Sequence, residues 1–224
     1  MKKIIANHVY KDYDGVPVLE DVSLEIQKGN FVSIMGESGS GKSTLLHILA
    51  SLMPPSSGEI RYDDTNIYSL SEKERCALRC RSIGIVYQSF NLITSLSVED
   101  NLLLPIYLQR GDRKEAAEEM HKLAQQMKIE NVLDKYPHKI SGGQQQRVAI
   151  LRSLLYHPSV LFLDEPTGNL DQKNSLQIME LLQKIVQEND VTLVQVTHSR
   201  ATALYGNRIL YIEGGKIVDN ETVL

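Results

Sequence analysis

One stretch limits the fold more than any other: Gly36-Glu37-Ser38-Gly39-Ser40-Gly41-Lys42-Ser43-Thr44, lodged between two apolar segments of different period. Before it runs Phe31-Val32-Ser33-Ile34-Met35, short and almost wholly apolar, as a buried strand reads. After it Leu45, Leu46, Ile48, Leu49 and Leu52 crowd one side at helical spacing until Pro54-Pro55, so a helix is expected from Lys42 to about Leu52. The pattern G-x-x-x-x-G-K-[ST] in a strand, loop, helix setting is a phosphate cradle. Its glycines let the backbone bend with N–H groups pointing inward, and the helix adds its N-terminal dipole. Gly36, Ser38, Gly39, Ser40, Gly41, Lys42, Ser43 and Thr44 are therefore candidate nucleotide-binding residues. Lys42 is expected on the β- and γ-phosphates and the Ser43 hydroxyl on Mg2+. Average residue usage gives such a match by accident about once in a hundred chains of this length. By itself the loop implies only that a nucleoside triphosphate binds.

The rest of the chain has room for one large domain. Its 224 residues suit a single unit with an inserted lobe, and 42% hydrophobic with 23% charged residues is the profile of a folded globular chain. Strand character recurs at residues 22–26, 58–62, 83–87, 160–163, 192–196 and 208–212, and Glu213-Gly214-Gly215-Lys216 predicts a hairpin. Helical spacing predicts helices over 98–108, 113–129, 144–156 and 172–187, with a charged helix over 71–81. Strands linked by helices imply an α/β layered core with mainly parallel strands, interrupted by a helical lobe near residues 91–157.

No run approaches the ~18 apolar residues needed to span a bilayer, and the N-terminal Met-Lys-Lys-Ile-Ile-Ala is too short for a secretory signal, so a cytoplasmic chain is expected. A net charge of −4 argues against nucleic acid as the main partner. Cys76 and Cys80 share one face of the charged helix and are expected to be free thiols, since two ligands alone hold no metal well.

Val160-Leu161-Phe162-Leu163-Asp164-Glu165-Pro166 delivers two carboxylates at the end of an apolar strand, where ligands bind in open α/β sheets. Asp164 suits Mg2+, through water. Successive strand side chains point apart, which frees Glu165 to polarise the water that attacks the γ-phosphate. A magnesium carboxylate beside a base favours hydrolysis over transfer to a second substrate. The Asn-Lys-x-Asp run that reads guanine in many GTPases does not occur in the sequence.

Ile140-Ser141-Gly142-Gly143-Gln144-Gln145-Gln146-Arg147 resembles the L-S-G-G-Q signature of ATP-binding cassette (ABC) proteins, with Ile140 in place of leucine. A serine and two glycines opening a helix make a second anion grip. The resemblance covers nearly the whole chain and implies a P-loop NTPase fold. Residues 1–90 and 158–224 would form the nucleotide-binding core with an N-terminal antiparallel β subdomain, and 91–157 an inserted α-helical signature subdomain. It implies ATP and Mg2+ as ligands and a head-to-tail homodimer, in which Ser141, Gly142, Gly143 and Gln144 of one copy close on the ATP held by Lys42 of the other. Gln88 resembles the glutamine that senses Mg2+ and attacking water, His198 the histidine on the γ-phosphate, and Asp171 the aspartate that couples the subunits. Tyr13 resembles the aromatic that stacks on adenine, with Tyr10 close enough to compete for that place.

Asp164-Glu165-Pro166-Thr167-Gly168-Asn169-Leu170-Asp171 and the triple glutamine resemble the branch serving macrolide export, lipoprotein release and bacitracin-type peptide resistance. That branch implies a separate membrane permease as partner, with the cassette peripheral on the inner face of the membrane. Phe90, Leu92, Ile93 and Leu96 would receive a short permease helix. The rival reading is a soluble cassette ATPase remodelling nucleic acid or ribosomes; the stretch between Ser43 and Ser141 has no heptad run of the kind DNA-repair members carry. A small phosphate-transfer kinase would fit the loop but leave Ser141–Gln144 and Glu165 without a purpose.

Overall fold

The computed structural model describes residues 1–109 and 111–223; Arg110 and Leu224, which fall within the expected domain span, lie outside the described residues. Along the chain come β1 (Lys3–Tyr13), β2 (Val16–Gln27), β3 (Phe31–Met35), α1 (Lys42–Leu49), β4 (Ser57–Tyr62) and β5 (Thr65–Asn66). Next follow α2 (Glu72–Ser82), β6 (Ile83–Val86), α3 (Val98–Leu108), α4 (Arg113–Gln126) and α5 (Gly142–Leu154). The chain closes with β7 (Val160–Asp164), α6 (Gln172–Asn189), β8 (Thr192–Val196), α7 (Arg200–Ala203), β9 (Arg208–Glu213) and β10 (Lys216–Thr222).

The strands make two sheets, one of four strands in the order β2-β1-β4-β5 and one of six in the order β10-β9-β3-β8-β7-β6. The four-stranded sheet is antiparallel; in the six-stranded sheet only β10 runs against its neighbour. β3 and β8 are buried along their whole length, as strands covered on both faces must be. One apolar cluster joins Ile4, Val22, Ile34, Leu45 and Val194 between the two sheets and around α1. A second joins Leu102, Met120, Leu151, Leu163 and Met179 under α3 to α6.

Several boundaries differ from expectation for local reasons. α1 stops at Leu49 rather than near Leu52, because Ser51 turns into the left-handed region (φ 61°) and Leu52 is left 40% exposed. β2 begins at Val16, earlier than the alternation suggests. Asp14 (φ 53°) and Gly15 (φ 82°) form a two-residue turn whose positive φ values match the twist of a hairpin. α5 begins at Gly142 because Ser141 and Gln144 form a capping box. α4 ends at Gln126, where Lys128 (φ 58°) reverses the chain. The hairpin at Gly214 and Gly215 forms as expected, and Cys76 and Cys80 are exposed, free thiols on α2.

β3, β7 and β8 end at one level: Ile34 and Asp164 both stand opposite Val196 in the register. Beyond that level Thr197 N–H donates to Ile34 O at 3.1 Å and Glu165 N–H to Val196 O at 3.0 Å. The loops after these strands are thereby tied together. No helix among the described residues is long and apolar enough to cross a membrane.

Candidate functional site

Glycine geometry shapes the loop between β3 and α1. Gly36 (φ 155°) and Gly41 (φ 99°) occupy the backbone region that disfavours other residues. A Cβ at Gly36 would stand 2.2 Å from Ile212 O, and one at Gly41 2.7 Å from Val18 O, so β9 and β2 press directly on the loop. Ser38 and Gly39 face solvent, Ser40 and Lys42 are buried, and Thr44 is half-buried in the first turn of α1. Lys42 Nζ donates to Glu37 O at 2.5 Å inside the loop. Burial pushes its ammonium below the ordinary lysine range, while the Glu165 and Asp164 carboxylates pull it back up.

At the end of β7 the two carboxylates take separate partners. Asp164 Oδ1 accepts from Ser43 Oγ at 2.9 Å, and Oδ2 lies 3.7 Å from His47 Nε2. Glu165 Oε1 meets His198 Nε2 at 2.7 Å. The divergence does not come from strand alternation, because β7 stops at Asp164 and Glu165 is left-handed (φ 47°). Gln88, exposed after β6, places Nε2 3.4 Å from Asn169 Oδ1, and Asn169 Nδ2 donates to Gln88 O at 2.9 Å. A Cβ at Gly168 would lie 2.8 Å from Gln88 Nε2 and 3.2 Å from Glu165 Oε2, so these two side chains flank that glycine closely.

Ser43 and Asp164 offer a hydroxyl and a carboxylate oxygen side by side. Mg2+ takes hard oxygen ligands and keeps several waters, binding through one or two carboxylates plus phosphates rather than a protein cage. The pair fits that ion; Gln88 stands with the second pair and contributes at most from its amide oxygen.

The second grip lies on α5. Ser141 is exposed and caps the helix, its Oγ accepting from Gln144 N–H at 3.3 Å while Gln144 Oε1 accepts from Ser141 N–H at 3.0 Å. Behind it Gly143 abuts Asn174, and Gly142 abuts Leu170. Asp171 caps α6 by accepting from Asn174 N–H at 3.0 Å and Asn174 Nδ2 at 2.6 Å. Those bonds hold its carboxyl below the usual range. Tyr13 is 45% exposed at the tip of the β1–β2 hairpin, with Lys11 Nζ 5.2 Å from its ring centre and its hydroxyl on Met53 Sδ at 3.2 Å. Tyr13 pairs with Val16 and Tyr10 with Ser57 on β4, while Leu19, which with Val18 lies against Gly41, pairs with Lys11 between the two tyrosines.

The sequence reading passed over four residues that organise these groups: His47, Asn169, Asn174 and Arg152. Arg152, half-buried on α5, donates to Phe90 O at 3.1 Å and Asn91 O at 2.8 Å, the carbonyls of two consecutive left-handed residues (φ 62° and 48°). His47 had a legible signal, since it follows Ser43 by one helical turn. Arg152 had none, because its partners are backbone atoms distant in sequence. Of the expected permease-facing residues, Phe90 and Leu92 pack partly on the core and Ile93 is 41% exposed.

The family model described as ABC transporter matches residues 19–168. The bacitracin export ATP-binding protein BceA of Halalkalibacterium halodurans is 38% identical over 216 residues, covering 95% of this chain and 85% of that protein. The lipoprotein-releasing system ATP-binding protein LolD of Bordetella pertussis is 40% identical over 216 residues, covering 95% and 94%. Among solved structures, the dimeric post-hydrolysis state of the ATP-binding cassette MJ0796 bound to ADP and Pi is similar with a TM-score of 0.88 and 38% identity, covering 99% of both chains. With its phosphate loop, acidic strand end and second helix cap arranged as above, the chain belongs to the ABC transporter family.

Proposed function

We propose that this chain is the ATP-hydrolysing subunit of an ABC transporter, closing as a head-to-tail homodimer around ATP and Mg2+ to drive a membrane permease. The carrying observation is the pair of neighbouring contacts at the end of β7, Ser43 with Asp164 at 2.9 Å and Glu165 with His198 at 2.7 Å. One pair is equipped to hold a cation and the other to activate water. Lys42 exchanges its bond to Glu37 O for the β- and γ-phosphates, with Gly36, Ser38, Gly39, Ser40, Gly41 and Thr44 completing the cradle. Ser43 and Asp164 hold Mg2+, with Gln88 near the attacking water. When bound, the cation neutralises charge developing on the phosphate oxygens. Glu165 accepts the water's proton, and His198 steadies that carboxylate until the γ-phosphate arrives. Tyr13 stacks on adenine.

Ser141, exposed, forms with the half-buried Gly142 and Gln144 and the buried Gly143 an anion grip whose hydrogen bonds are spent on its own cap. It suits the nucleotide of a second copy, with Asp171 beside it at the interface. The dimeric MJ0796 structure supports this arrangement. The bacitracin and lipoprotein relatives support a permease of the force-transmitting branch, with the cassette peripheral on the inner face of the membrane. In this reading residues 1–90 and 158–224 are the nucleotide-binding core and 91–157 the signature lobe, and the permease docks at their junction on Phe90, Leu92, Ile93 and Leu96.

The test is Glu165→Gln. Turnover is expected to fall by about 10² to 10⁴ while ATP still binds, and Mg-ATP should shift the variant to a dimer in size-exclusion chromatography. Undiminished turnover removes Glu165 as the base; a monomer at saturating Mg-ATP removes the shared site.

A further inference from the structure

α1 presents two polar side chains one turn apart, Ser43 and His47, toward the end of β7. The two oxygens of Asp164 meet them separately. Oδ1 accepts from Ser43 Oγ at 2.9 Å, and Oδ2 lies 3.7 Å from His47 Nε2. That nitrogen is buried and has no hydrogen-bond partner among the described residues. A buried ring nitrogen left unpaired is unfavourable, and the acceptor it faces is a carboxylate oxygen. The gap exceeds a formed N–H···O bond of ~3.2 Å by about half an ångström, which a small rotation of the carboxylate closes.

We propose that His47 is the positioning residue of the metal carboxylate: donating from Nε2 to Asp164 Oδ2, it fixes, with Ser43, the plane in which Asp164 faces the divalent cation. This rests on the reading of Ser43 and Asp164 as the residues that hold that cation. One donor leaves a carboxylate free to turn about its Cβ–Cγ bond; two donors on one rigid helix remove that freedom. Lys42 and Tyr87 also interact with the charge of Asp164, but charge alone does not set its rotation. His47 touches neither nucleotide nor water in this scheme and acts only through Asp164. Partners of this kind typically alter metal affinity by about 10- to 100-fold when removed.

Mn2+ is the probe, counted as free ion by electron paramagnetic resonance with the full chain in the Glu165→Gln background and saturating ATP. His47→Leu is expected to weaken Mn2+ binding about 10-fold or more, whereas His47→Gln, whose amide nitrogen reaches about as far as Nε2, stays within about threefold. ATP binding in the presence of chelator should be equal in all three proteins. Wild-type Mn2+ affinity in His47→Leu overturns the proposal. Should that variant not fold, His47→Asn, polar but too short to reach Oδ2, must show the same loss, and its failure to do so overturns the proposal equally. Asp164→Asn separates the levels. If it too leaves Mn2+ binding unchanged, the cation site itself is misassigned and the role of His47 falls with it. If it weakens Mn2+ while the His47 variants do not, only the role of His47 falls.

Discussion

Gly142 and Gly143 are neighbours at the start of α5, yet an added methyl group meets different surroundings at each. At Gly142 it would stand 3.5 Å from Leu170 Cδ2 and 3.9 Å from Phe90 Cζ, ordinary contact distances; at Gly143 it would stand 2.9 Å from Asn174 Oδ1 and 3.0 Å from Asn174 Cγ. Two effects oppose each other in Gly143→Ala. Helix propensity gains at most about 1 kcal/mol, while crowding a packed contact costs about 1–3 kcal/mol. Crowding wins because the Asn174 amide cannot swing away without releasing Asp171, to which its Nδ2 donates at 2.6 Å. The expected net loss is therefore about 0–2 kcal/mol, or up to about 8 °C in melting temperature for a chain of this size. In an Asn174→Ala background the obstruction is gone, and the same Gly143→Ala change should stabilise by up to about 1 kcal/mol. Thermal melts of wild type, the two single variants and the double variant form a cycle with a coupling of about 1–3 kcal/mol. Gly142→Ala serves as the control and should melt no lower than wild type. Additivity within about 0.5 kcal/mol would refute the steric argument.

Arg152→Met removes two charge-assisted bonds to the carbonyls of Phe90 and Asn91, and a loss of about 3–5 kcal/mol is expected, read as a melting temperature lower by about 6–20 °C; an unchanged melt would show that the left-handed pair needs no clamp. Burial pushes the Tyr156 phenol from 10.0 up to about 12, with Arg152 opposing, and its hydroxyl donates to Ile83 O at 2.9 Å. A folded-state value above the unfolded one means this contribution is complete below pH 10 and is lost as pH rises toward 12, a fall of about 2–3 kcal/mol. Tyr156→Phe should flatten denaturant stability over that window, and parallel slopes for the two proteins would refute it.

What could be read from residue order and what could not divides along physical lines. The run from Phe31 to Leu49 was legible because glycine spacing, apolar period and the Lys42-Ser43 pair agree on one local geometry. The end of β7 was legible as chemistry but not as shape: the two carboxylates were foreseen, while the cause of their divergence lies in the left-handed backbone at Glu165, which no side-chain pattern announces. The Asp14-Gly15 turn carries a clear hairpin signal in its own residues, several positions before the alternation at 22–26. Arg152 and Asn174 were illegible for another reason. The carbonyls that Arg152 holds come near only after α5 packs on the loop after β6, and Asn174, whose cap bond to Asp171 is local, meets Gly143 only after α5 packs on α6.

Glu165 shows why a local cost is retained. Had β7 continued one residue further in extended form, Glu165 would face away from Asp164 across the sheet, and one of the two carboxylates would be lost from the strand ends. The left-handed turn at φ 47° instead brings Glu165 against His198 at the strand ends while Asp164 meets Ser43, at a cost of about 1–3 kcal/mol for a side chain of this kind. Glycine would remove the cost and the carboxylate together. The strain is held from both ends, by Glu165 N–H on Val196 O at 3.0 Å and by Gly168 N–H on Glu165 O at 3.0 Å. Because Val196 also precedes Thr197 and His198, the bond that restrains Glu165 sets its distance from its imidazole partner. Thr197 N–H on Ile34 O then ties that same segment to the strand feeding the phosphate loop. The relative positions of Lys42, Asp164, Glu165 and His198 thus follow from the register of three parallel strands. A substitution that shifts β8 by a fraction of an ångström should disturb all four groups at once, whereas one confined to α3 or α4 should leave them in place.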